Sequence, residues 1–237
     1  MITYFATPRS RNELDVLCEE GATHILIPYN DPSIDLLYNH AISKGMTIMV
    51  DSGAFNAYTQ GKVIDVKVFG KKMLELNPYQ FINLDVIGDM GKTNKNQEYL
   101  ESIGLKPIPV WHHGSGYESL GELVKKYEYI AIGGLVTSAL TSTQRKNVIL
   151  TITEMFPNTK FHGLGVGSEG WVGLYSGDST TWLVGAKYGR LITKKGSVDL
   201  SGSYFTKKEL IRHNIRAILA LAEPISAATE MDMWLKS

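Results

Sequence analysis

The stretch Ile48-Met49-Val50-Asp51-Ser52-Gly53-Ala54-Phe55 decides the fold. An apolar run ends in a carboxylate, a hydroxyl and a glycine. A strand covered on both faces reads as continuous apolar sequence, the habit of parallel sheets. Asp51 stands where that strand gives way to a turn, and Gly53 lets a ligand approach the backbone closely. A lone acid after a strand also suits a cap or a turn. Here the arrangement recurs along the chain.

Working outward, residues 2–6, 24–29, 46–52, 80–87, 107–112, 129–135 and 160–166 read as strands, and 173–179 contains an eighth. Helices are expected over 10–20, 31–44, 66–76, 92–103, 117–126 and 141–156. Ser10 and Glu13 have the spacing of a capping box. This alternation matches an α/β fold, a single (β/α)8 TIM barrel over 1–237. A doubly wound sheet is the competitor, but no G-x-G-x-x-G follows the first strand. Beyond the barrel, 185–202 reads as a hairpin or loop. A final helix over 206–222 carries Lys207, Lys208, Arg212 and Arg216 opposite an apolar face.

Hydrophobic residues make up 43% and charged residues 20% of the chain, as in an ordinary globular protein. Net charge is zero, so nucleic-acid binding must come from a local patch. The single cysteine, Cys18, excludes an intramolecular disulfide and a multi-cysteine zinc site, and it fits a reducing compartment. No apolar run is long enough to span a bilayer. The first residues lack the basic-then-apolar pattern of a signal peptide. The expectation is a cytoplasmic protein with no membrane association.

Barrel active sites form at the C-terminal ends of the strands. That rim would carry Asp51, Ser52, Asp85, His112, His113, Gly133-Gly134-Leu135, Gly165-Val166-Gly167-Ser168 and Asp178-Ser179-Thr180. Asp51, Asp85 and Asp178 would converge, and the glycines would leave room for a flat ligand. Plainer roles stay open: Asp85 as a helix cap, Asp178 as a turn former, the glycine pair as a tight turn. His112 and His113 are strand neighbours and point to opposite faces, so only one enters a shared pocket. Trp111, Trp171 and Trp182 read as packing. One carboxylate can attack an anomeric carbon while a second, with a raised pKa, protonates the leaving group. A third can accept N–H bonds from a base edge. The set suits glycosidic-bond chemistry. Metal-dependent hydrolysis is the chemical rival, though no H-x-H or H-E-x-x-H spacing supports it.

Asp51-Ser52-Gly53-Ala54-Phe55 resembles the Asp-Ser-Gly-Gly-Phe/Tyr element of tRNA-guanine transglycosylases. Ile132-Gly133-Gly134-Leu135 resembles their Gly-Gly-Leu loop, and Gly165-Val166-Gly167 their Gly-Val-Gly strand. Order and approximate spacing agree from the third strand to the eighth. The run Asp178-Ser179-Thr180-Thr181-Trp182, with Gly185-Ala186-Lys187-Tyr188-Gly189, is closer to the DpdA-type DNA 7-deazaguanine transglycosylases of phages and bacterial DNA-modification islands.

The resemblance implies exchange of guanine in a polynucleotide for a free 7-deazaguanine base; no cofactor and no metal are expected in this chain. It makes Asp178 the nucleophile at C1′ and Asp51 the general acid/base. Asp85 would read the guanine edge, with Ser52, Gly53, Phe55, His113, Gly133, Gly134, Leu135 and Gly167 around the base. His113 falls where the tRNA enzymes carry a base-reading glutamine before a glycine, here Gly114. Their C-x-C-x-x-C…H zinc site has no counterpart, which fits the DNA branch. Lys187, Arg190, Lys194 and Lys195, with Lys207, Lys208 and Arg212, form the expected DNA-binding patch. The target guanine would be flipped out or single-stranded. The same chemistry on tRNA, or a catalytically silent nucleic-acid-binding subunit, are the alternatives.

Overall fold

A computed structural model describes residues 1–222 apart from 137, 167–170, 195 and 203. Gly167 and Lys195, both expected at functional sites, lie outside the described residues. One all-parallel sheet holds β1 (Ile2–Ala6), β2 (His24–Pro28), β3 (Thr47–Asp51), β4 (Gln80–Phe81), β5 (Val110–His112), β6 (Tyr129–Gly133), β7 (Lys160–Gly163) and β8 (Ser176–Ser179). Its order is β4-β3-β2-β1-β8-β7-β6-β5. The outer strands β4 and β5 meet through a parallel bridge between Ile82 and Ile108. Beside it, the Ile108 N–H donates to Phe81 O at 2.8 Å and the Asn83 N–H to Ile108 O at 2.9 Å. The sheet curls round on itself, as the (β/α)8 reading expects.

The helices are α1 (Arg11–Glu19), α2 (Ile34–Ser43), α3 (Ala54–Thr59), α4 (Val66–Leu76), α5 (Met90–Ser102), α6 (Tyr117–Val124), α7 (Ser142–Met155), α8 (Thr181–Lys187) and α9 (Lys207–Ala222). Ser10 accepts the Glu13 N–H, but the Glu13 carboxylate turns back to the Arg9 N–H. The complete capping box belongs to Thr141 and Gln144, at the start of α7. Two short helices depart from the sequence reading. In α3 the chain turns helical directly after Gly53. In α8 a glycine sits mid-helix because a Cβ on Gly185 would lie 3.3 Å from the Asn214 amide of α9. The section after α8 is a hairpin, β9 (Arg190–Thr193) with β10 (Gly196–Asp199).

Strand alternation divides the core into two clusters. Residues facing the helices, among them Phe5, Ile25, Ile27, Ile48, Val50, Ile130, Ile132 and Phe161, join the larger one. Tyr4, Ala6, Leu26, Met49, Ile82, Ile108, Val110 and Ala131 pack on the barrel axis. Two residues further along each strand from Met49, Val110 and Ala131 come Asp51, His112 and Gly133, on the same inner face at the C-terminal end.

The fourth strand breaks the rule, ending at Phe81 rather than continuing to 87. After inward Ile82, both Asn83 and Leu84 face the helices: the Asn83 amide donates to Thr93 O at 3.0 Å, and Leu84 joins the outer core. The helix side chains replace the lost ladder. Asn96 Nδ2 donates to Leu84 O at 2.7 Å, and the Val86 N–H donates to Thr93 Oγ1 at 2.9 Å. This slip, which works like a bulge, returns Asp85 to the inner face.

Trp111, Trp171 and Trp182 are buried packing residues whose indole N–H groups donate to main-chain carbonyls. The Trp182 N–H reaches Ala6 O at 3.0 Å and its ring meets Phe5 edge-on. Trp182→Ala is expected to cost about 3–5 kcal/mol in a denaturant melt. Trp182→Phe, which keeps most of the volume but leaves Ala6 O unpaired, should cost about 1–3 kcal/mol.

Candidate active site

The C-terminal mouth of the barrel encloses a cavity of about 390 Å³. Its lining brings Asp51, Ser52, Phe55, Asp85, Gly133, Gly134, Gly165 and Asp178 together with Leu26, Leu164 and Thr180. That size and mixed lining suit a small planar ligand with a few fixed polar contacts. Phe55, on the first turn of α3, is 49% exposed and offers an aromatic face at the entrance.

The three carboxylates are held differently. Both oxygens of Asp85 are engaged. Ser52 Oγ donates to Oδ1 at 3.1 Å, and His112 Nε2 bonds Oδ2 at 2.8 Å. Asp85 is thereby fixed, and Asp89, not Asp85, caps α5. Asp178 lies in β8 rather than in a turn. Its Oδ1 accepts the Gly165 N–H at 2.8 Å, and Oδ2 has no partner among the described residues. Behind it His162 is fully buried, with Nδ1 at 2.8 Å from Ser176 Oγ, which lies 2.6 Å from the Tyr129 hydroxyl. His162 Nε2 is 3.3 Å from Asp178 Oδ1 but off the direction of a hydrogen bond.

Asp51 lines the cavity and is partly exposed. Its Oδ2 accepts the Gly53 N–H at 3.0 Å. Burial, then the charges of Asp178 and Asp85, push its carboxyl up to about 7 against that bond, which favours the ionised form.

The glycines serve separate ends. A Cβ on Gly133 would lie 2.7 Å from the His112 ring, so Gly133 makes room for the Asp85–His112 pair. Gly134, at φ +78°, carries the left-handed turn that follows. Gly53, at φ +70°, starts α3 where a Cβ would strike Asn30.

Some expected residues stand elsewhere. Leu135 is buried in the outer core. His113 does not line the cavity; its ring lies 6.4 Å from Trp111, and the inward histidine is His112. Val110 is inward, so the residue two on must be inward too, a signal already present in the strand period.

The basic hairpin lies off the rim. From Thr180 at the cavity, α8 leads away for ~10 Å to Lys187, whose ammonium sits over the Tyr188 ring. Arg190 O accepts from Asn214 of α9, and α9 ends where Ala222 O accepts from the Met1 amino group, beside the start of β1. Lys194 is exposed on the hairpin turn, and Lys207 and Lys208 on the first turn of α9. Arg212 pairs with Glu19 and Glu20, clamping α9 to α1 rather than offering a free cation.

Among the described residues no three His, Cys, Asp or Glu side chains form a metal-ligating group, and no helix is long and apolar enough to cross a membrane. No family model and no curated protein matches the chain.

The raised Asp51 carboxyl has a linkage consequence. In the unfolded chain the group titrates near 3.8, below its folded value of about 7. Between those values the unfolded chain releases its proton while the fold keeps one, so the fold loses stability as pH rises. Asp51→Asn should therefore raise Tm at about pH 8, the gain vanishing near pH 4. At ~1.4 kcal/mol per decade the gain is bounded by about 4 kcal/mol. Thermal unfolding of both proteins across this range checks it; equal Tm values at the alkaline end contradict it.

Proposed function

We propose that the chain is a base-exchange transglycosylase that replaces guanine in DNA with a 7-deazaguanine through a covalent aspartyl–sugar intermediate. One observation carries the reading: three carboxylates in one cavity, each held in a different state of engagement. Asp178 is tied through one oxygen and, among the described residues, free at the other, which suits a nucleophile. Asp51, pushed up to about 7, suits a group that gives and retrieves a proton. Asp85, occupied at both oxygens and rigid, suits recognition of N–H donors on a purine edge.

In the first step an Asp178 oxygen attacks C1′ and the C1′–N9 bond breaks. Asp51 protonates the departing guanine, which leaves neutral. In the second step Asp51, now a carboxylate, takes the N9 proton of the 7-deazaguanine. That N9 attacks C1′ and the ester bond breaks, regenerating the Asp178 carboxylate. The phosphodiester backbone is untouched throughout. Phe55 is suited to stack on the base, as sequence-tolerant sites for unpaired bases do. The choice of DNA over tRNA rests on the resemblance of the Asp178–Trp182 and Gly185–Gly189 runs.

Labelled-guanine exchange into matched single-stranded DNA and tRNA tests the proposal. Exchange is expected in DNA, and Asp178→Ala should abolish it together with any covalent protein–DNA adduct. With Asp51 as proton donor, kcat/KM for guanine release should fall about tenfold per pH unit above its pKa. Asp51→Ala should flatten that limb. Full exchange by both alanine variants would sink the mechanism, and exchange confined to tRNA would move the substrate assignment.

A further inference from the structure

The reacting cavity is strongly acidic, yet the proposed substrate is a polyanion. Among the described residues, its lining holds no cationic side chain. A second cavity of about 240 Å³ adjoins it and shares Val136, Gly165, Asp178 and Thr180 with it. Its lining adds Ser179, Thr181 and one cation, Arg145. Arg145 sits in the first turns of α7, half-buried. Among the described residues its guanidinium bonds from Nη2 to Ser142 Oγ at 3.3 Å, and no carboxylate of those residues pairs with it. A partly buried guanidinium without a counter-ion leaves most of its donor fork unspent, and that fork matches phosphate oxygens.

Resting on the base-exchange reading, we propose that Arg145 and this second cavity form a phosphate subsite. It would hold a phosphodiester flanking the nucleotide whose sugar is presented to Asp178. The two cavities meet at Asp178, and a phosphate lies only a few bonds from C1′ of its own sugar. The base then enters the acidic cavity while the backbone stays beside Arg145. The subsite makes the substrate a nucleotide within a strand and gives the strand its direction across the mouth. The exposed lysines Lys187 and Lys194 are not needed for this register.

Binding of a fluorescent single-stranded oligonucleotide containing guanine, titrated with salt, tests the subsite in wild type, Arg145→Ala and Arg145→Gln. Unaltered melting of either variant licenses its use. Loss of one phosphate contact should weaken binding tenfold or so at low salt and reduce the slope of log K against log salt by about 0.7. In exchange assays KM should rise with kcat nearly unchanged, because the contact is equal in ground and transition states. Oligonucleotide binding with unchanged affinity and slope in both variants would overturn the subsite and leave base exchange standing. No binding by the wild type at low salt would overturn both.

Discussion

Every second residue of a barrel strand faces the axis, and both the floor and the chemistry of the mouth hang on that alternation. Met49 packs on the axis and Asp51 comes two residues later on the same face. Val110 and His112 repeat the relation, as do Ala131 and Gly133. The apolar layer keeps water from the base of the cavity. The layer above it holds charges that would cost little in solvent and cost much here.

Those charges repel one another, and the chain relieves the repulsion unevenly. Asp85 gains a hydroxyl and an imidazole, Asp178 a main-chain N–H, and Asp51 the main-chain N–H groups of Gly53 and Ser52, which do not offset its desolvation. Like charges in a confined site push one group toward its neutral form. Uneven support selects which group that is. Uneven hydrogen bonding thus separates three identical functional groups into one engaged at both oxygens, one tied through a single oxygen and one whose carboxyl is raised, with no change of residue type.

The fold was legible because its signals are local. Apolar runs, the capping Ser10 and the stops at Gly21 and Gly45 mark most elements in the sequence itself. Asp51, Asp85 and Asp178 were legible as a set because barrel strands deliver their ends to one rim. What escaped depends on distant partners. The role of Gly133 is set by the His112 ring, that of Gly185 by Asn214, and the availability of Arg212 by Glu19 and Glu20. His162 and Arg145 carry no motif; only their neighbours single them out. The choice between His112 and His113 was within reach of the strand period. The return of Asp85 to the inner face was not, since the slip at Asn83 and Leu84 depends on side chains of α5.

The anchor on Asp178 comes from an amide of Gly165, a residue with no side chain. No side-chain deletion removes that donor. A survey that truncates one side chain after another would report the carboxylate as indispensable and its support as silent. The chain can therefore drift widely in the side chains around this loop while the orientation of its most exacting group is inherited through the peptide backbone. Selection would act there on backbone shape, and a proline at 165, which takes away the N–H itself, would be felt where most other losses are not.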